Sequence, residues 1–154
     1  MKTRVFWSVA TMLAVLVGVN SLLAADSVDL KDIKCPLSGQ PAKATAKAEH
    51  HDAAVYFCCP KCVAAFQKDP EKYTAKANHQ LLATKQVKQV KCPKTGGPFK
   101  DATAIKVSGV KVAFCCKNCK GWAEKSSGDE LIAKLFNAKA FKKGFKAGSD
   151  DESK

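Results

Sequence analysis

Arginine is almost missing from this chain of 154 residues: Arg4 is the single one among 26 basic side chains. Specific reading of phosphates and base edges leans on the guanidinium fork. Nucleic acid is therefore not an expected partner, even at a net charge of +12. A surface made basic by lysine alone fits loose attachment to acidic cell-envelope polymers better. Large aliphatic side chains are scarce beyond the N-terminus, and cores that small usually need a disulfide or metal staple. The chain shows no paired carboxylates, Ser-His-Asp set or Gly-rich phosphate loop. Hydrolase and nucleotide readings have no support, and the expectation is that the protein is not an enzyme.

The one long apolar run lies at the N-terminus. Lys2 and Arg4 precede an apolar stretch over 5–19, and Ser21-Leu22-Leu23-Ala24-Ala25 comes after it. Residues 1–25 thus read as a secretory signal peptide cleaved after Ala24 or Ala25, the alternative being an uncleaved anchor. No membrane span is expected after its removal, and loss of Lys2 and Arg4 takes the charge from +12 to +10. Export implies a periplasmic or secreted protein and leaves room for a cell-envelope protein partner. In that oxidising compartment eight cysteines must be bonded to each other, bound to metal or reactive.

What the chain has is a repeat of those cysteines. Tyr56-Phe57-Cys58-Cys59-Pro60-Lys61-Cys62 recurs as Ala113-Phe114-Cys115-Cys116-Lys117-Asn118-Cys119, and each copy has an upstream partner, Cys35-Pro36 or Cys92-Pro93. From Cys35 to Cys92, and from Cys58 to Cys115, the step is 57 residues. The expected organisation is a first repeat with its connector over 26–86 and a second repeat with a C-terminal helix over 87–145. A disordered acidic tail is expected over 146–154.

Each repeat reads as a tight turn, a β-hairpin and a helix. Pro and Gly punctuate 35–39 and 92–98. Period-two patterning marks strands at 42–49 and 53–57, then at 104–107 and 110–114. Pro60 suits the first position of a helix, and Asp69-Pro70 breaks or restarts it. Residues 74–86 read as a helical or irregular connector. A final amphipathic helix over about 129–141 covers the shared core with Leu131, Ile132, Leu135, Phe136 and Ala140. The fold class is α+β: two tandem treble-clef or zinc-ribbon-like modules plus a C-terminal helix.

Closing a turn thiol against thiols at a strand-to-helix junction is how small zinc modules are built, and the helix start favours thiolate. All-thiolate donors select soft or borderline ions: zinc, copper(I) or cadmium. The second repeat has no histidine, so chemistry common to both repeats must be thiol chemistry. His50 and His51 read as exposed turn residues and His79 as an exposed connector residue. Two readings compete with metal. One is a disulfide framework, with Cys58 or Cys59 bridged to Cys62; the other is thiol–disulfide exchange at Cys59-Pro60-Lys61-Cys62.

Cys-Pro-x-Ser-Gly, then Tyr-Phe-Cys-Cys-Pro-x-Cys, then Phe66 and Asp69-Pro70-Glu71-Lys72-Tyr73, resembles the YHS/TRASH-like metal-binding domains. These occur in heavy-metal sensors, copper-handling proteins and P-type metal pumps. The resemblance covers about 34–73 well and 91–122 less completely, with Trp122 at a shifted place. It implies metal buffering, delivery or sensing, with Cys35, Cys58, Cys62, Cys92, Cys115 and Cys119 on ligand positions. Ser38 and Thr95 stand where the family's fuller form has another Cys, which leaves Cys59 and Cys116 as the natural substitutes.

Overall fold

The structure, a computed structural model, describes residues 28–148. The expected signal peptide lies outside the described residues. The fold is α+β. The first module contains β1 (Lys43–His50), β2 (Ala53–Phe57), α1 (Pro60–Lys68) and α2 (Pro70–Ala83). After β3 (Val87–Gln89), the second contains β4 (Lys100–Val107), β5 (Val110–Phe114) and α3 (Lys117–Glu124). The last elements are α4 (Gly128–Phe136), α5 (Ala138–Gly144) and β6 (Phe145–Ala147).

Both hairpins are antiparallel and carry the same irregularity. Lys43 pairs with Phe57 and Lys100 with Phe114, and in each case the register then shifts. An extra residue at such a bulge bends the strand and re-aims the residues beyond it, here the thiol junction. In the second module Thr103 Oγ1 fills the bulge, contacting Lys100 O at 2.7 Å as well as Phe114 O.

The modules share one core. Phe57 and Phe66 of the first and Phe114 and Val112 of the second belong to a single apolar cluster with Leu131, Leu135 and Phe136. Phe66 is buried and lies 5.3 Å from Phe57, ring centre to ring centre.

Several elements narrow or depart from the sequence expectation. Residues 74–83 are the body of α2, a regular helix whose Asp69 cap accepts from Lys72 N–H and whose first residue is Pro70. Its buried face includes Asn78 and Gln80 beside Ala77 and Leu81. Of the two readings open for 74–86, the helical one holds through Ala83, and the polar side chains on the inner face are what left the irregular one open. The single helix expected over 129–141 is two helices. Asn137, at φ −59° and ψ 162°, interrupts it, and its side chain accepts from Ala140 N–H at 3.0 Å to start α5. The chain stays in strand through Ala147, past the predicted start of the tail at 146, because β6 pairs antiparallel with β3. Residues 149–154 lie outside the described residues.

The histidines are engaged rather than free. His50 is half-buried, donates to Asn78 Oδ1 at 3.1 Å and meets Phe66 edge-on. His79 is half-buried, donates to Val107 O at 3.0 Å and meets Phe136 edge-on. His51 is exposed but stacks on Phe141. The expectation of exposed histidines fails for His50 and His79, because α2 packs across both hairpin tips.

Candidate metal centre

The turn that carries the first thiol of each module is built the same way twice. Cys35 N–H donates to Gln40 O and Gly39 N–H to Cys35 O; Cys92 N–H donates to Gly97 O and Gly96 N–H to Cys92 O. The turn needs left-handed backbone at Gly39 (φ 71°) and Gly96 (φ 78°), which glycine supplies without a Cβ penalty. Both turns place a buried thiol, Cys35 or Cys92, towards the hairpin.

The other thiols arrive at the strand-to-helix junction. The chain bends at 58–59, so neighbouring side chains that would diverge in a straight strand converge. Cys59 and Cys116 are the residues before the first turns of α1 and α3, both in extended conformation. Cys62 and Cys119 lie within those first turns.

Two groups of three sulfurs result: Cys35, Cys58 and Cys62, and Cys92, Cys115 and Cys119, each with all sulfurs within 4.8 Å of one another. The Sγ–Sγ distance is 3.6 Å for Cys58–Cys62 and 3.5 Å for Cys115–Cys119. Cys59 flanks the first group, 3.7 Å from both Cys58 and Cys62, and Cys116 lies 3.7 Å from Cys115. Cys59 is half-buried, whereas Cys116 is exposed. All eight cysteines are free thiols. Ser38 and Thr95 turn their hydroxyls to the clusters, Ser38 Oγ 3.2 Å from Cys58 Sγ and Thr95 Oγ1 3.4 Å from Cys115 Sγ.

The thiols of a cluster are not equivalent. Burial opposes ionisation of Cys35, but the Ser38 hydroxyl and the backbone N–H groups of Ser38, Cys58 and Leu37 outweigh it and bring the thiol down to about 7. Cys92 is brought to about 7 in the same way, with Thr95 in place of Ser38. Cys62 and Cys119 are pushed up to about 12, first by desolvation and then by neighbouring thiols that they serve as donors. Each cluster thus pairs a ready thiolate with a proton-holding thiol, and a bound cation would take that proton's place. The donor set is soft sulfur throughout, so these residues can hold a thiophilic metal ion.

Comparison with protein-family models, with curated proteins and with solved structures finds no match. Among the described residues, no helix is long and apolar enough to cross a membrane.

Three glutamines beside these sites went unmarked in the sequence. Gln86 lies along the outer edge of β2, accepting from Ala54 N–H at 2.8 Å and donating to Ala54 O at 2.7 Å. Gln80 and Gln89 do the same nearer the thiols. Nothing in the local pattern singles them out, since the strand residues they pair with are 24 to 32 residues away.

Proposed function

We propose that this chain is an exported metal-handling protein that binds zinc or copper(I) through two thiolate sites, for buffering, delivery or sensing. The observation that carries the reading is the sulfur spacing, 3.5 to 3.7 Å among the junction thiols of both clusters, with Cys35 or Cys92 within 4.8 Å. A disulfide requires ~2.05 Å. Sulfurs each ~2.3 Å from one zinc stand ~3.8 Å apart at the tetrahedral angle and ~4.0 Å apart in a trigonal plane. The sulfurs that all lie near one another are three per module, Cys35, Cys58 and Cys62 or Cys92, Cys115 and Cys119, and Cys59 and Cys116, each 3.7 Å from the thiol before it, stand beside them as candidates for a fourth donor. The likeness of Cys35 to Tyr73 to YHS/TRASH-like domains supports the same reading, as does the signal-like N-terminus.

The test is metal analysis of protein purified anaerobically from a periplasmic fraction, then competition with a copper(I) chelator. Up to two metal ions per chain, with copper withdrawn from the chelator, is the expected result. Protein with neither metal nor free thiols sinks the reading in favour of a disulfide framework. One non-exchanging zinc per module and no response to copper leaves the cysteines a purely structural role.

A further inference from the structure

Each thiol cluster is assembled from two chain segments, a turn and a junction, and each hairpin is a two-stranded sheet whose second strand, β2 or β5, turns an outer edge to a side chain. In both modules a single glutamine amide joins the two segments. Gln80, on α2 and 3% exposed, accepts from Tyr56 N–H at 2.7 Å and donates to Tyr56 O at 2.8 Å and to Lys34 O at 2.9 Å. Tyr56 lies two residues before Cys58, and Lys34 immediately before Cys35. Gln89, in β3, accepts from Ala113 N–H at 2.9 Å and donates to Ala113 O at 2.6 Å and to Lys91 O at 3.0 Å. Ala113 lies two residues before Cys115, and Lys91 immediately before Cys92.

The three bonds are thus the same in both modules, made to positions one repeat step apart. The glutamines themselves are not related by that step. A shift of 57 residues carries Gln80 onto Asn137 and Gln89 onto Asp32. The repeat therefore does not account for the clamp, which is reached once from a helix and once from a strand. A carboxamide presents a coplanar C=O and N–H, so it pairs with one strand residue as a neighbouring strand would. Its second N–H is then free to hold the turn. All the hydrogen-bonding capacity that faces the site is used.

We infer that Gln80 and Gln89 are positioning residues, each fixing the separation between the turn thiol and the junction thiols of its own cluster. The inference rests on the metal-binding reading for its functional consequence. Outer partners that orient metal ligands typically cost 10–100-fold in affinity when removed; the clamps act one step further out, on backbone beside the ligands, so that range is their ceiling. Because the modules share one core, a merely structural loss at either glutamine weakens both sites together, whereas a positioning loss weakens one.

The experiment uses the full chain, isotope-labelled, titrated with zinc against a competing chelator. The backbone amide signals of Cys58 and Cys115 report the two sites separately. Gln80→Met is expected to weaken zinc at the first site by up to about 10–100-fold and leave the second unchanged, and Gln89→Met the reverse. Gln80→Glu, which sets a buried carboxylate oxygen against Tyr56 O and Lys34 O, is expected to lose at least as much. Gln89 is only half-buried, so Gln89→Met preserves the test where Gln80→Met does not fold. Unchanged affinity, or equal loss at both sites, overturns the inference. A second arm measures amide hydrogen exchange in the metal-free chain, where Tyr56 is expected to exchange faster only in Gln80→Met and Ala113 only in Gln89→Met. Unchanged exchange overturns the clamp whether or not metal binds. A wild-type chain that takes up no zinc overturns the metal reading instead, and the clamp is then judged on exchange alone.

Discussion

Cys35 and Cys92 open two clusters with nearly the same sulfur spacing, yet the surroundings of the two differ. The first junction continues into Pro60, and its flanking thiol Cys59 is half-buried; the second continues into Lys117, and Cys116 is exposed. Position 65 is Ala in the first module, while its counterpart Trp122 lies between the ammonium groups of Lys94 and Lys134, 4.8 and 4.7 Å from its ring centre. The second turn is also pressed by the end of α5. Gly144 O accepts from Val90 N–H and Lys91 N–H, and a Cβ at Gly144 would meet Pro93 Cα at 2.9 Å. Sulfur geometry is thus held constant while access and local charge vary. The contrast in access runs both ways: Cys116 is more exposed than Cys59, while Cys119 is buried where Cys62 is half-buried.

The largest effect that separates the modules is removal of a thiol common to both arrangements. Cys35→Ser is expected to abolish binding at the first site and Cys92→Ser at the second, each leaving one ion per chain out of the two that the clusters allow. Metal analysis after desalting checks it. Loss of both ions from either variant would mean that the two clusters act as one.

Next in size is the flanking thiol. Cys59→Ser is expected to weaken the first site by at least the 10–100-fold that loss of an outer partner costs. The exposed Cys116→Ser is expected to cost the second site less. Chelator competition on each variant decides it, and equal losses would erase the distinction between a half-buried and an exposed flanking thiol.

The contact at Gly144 tests the other asymmetry. Gly144→Ala forces either Pro93 or the end of α5 to move, a crowding cost of about 1–3 kcal/mol. The second site is expected to weaken, with the first unchanged. Denaturant unfolding and zinc competition on the same variant check both halves.

These contrasts were unevenly legible in the sequence. The thiols announced themselves, because a spacing of eight cysteines repeated at one step has no other ready source. The hairpins could be read from period-two patterning and Gly109, and the thiol turns from Gly39 and Gly96; all three glycines have positive φ angles. What bridges the modules was hidden. β3 and β6 are three residues each, and Val87 pairs with Ala147, too far along the chain for any local pattern to show. Asn78 and Gln80 look like surface residues by type. They are buried because their amides bond backbone groups, Asn78 donating to Phe136 O at 2.8 Å. A buried amide with backbone partners leaves no trace in hydrophobic periodicity.

The same concealed burial sets the smallest expected effect. His79, on α2, reaches the tip of the second hairpin, and His50, at the tip of the first, reaches α2. Desolvation lowers the pKa of each below the ordinary value of 6.5; His51 adds its charge against His50, while the Asn78 bond and, for His79, the Val107 carbonyl oppose the shift. The folded chain therefore refuses protons that the unfolded chain accepts. The stabilising contribution is fully present above about pH 6.5 and is lost as the pH falls through the lower folded values. For His79 alone the slope cannot exceed about 1.4 kcal/mol per pH unit. Metal-free protein is expected to lose stability as the pH falls below about 6.5, above the range of most carboxylates. His79→Gln is expected to flatten that slope more than His50→Gln, because His79 is the more deeply buried of the two. Urea unfolding at three pH values in that window measures it, and a slope unchanged in His79→Gln would place the proton uptake elsewhere in the fold.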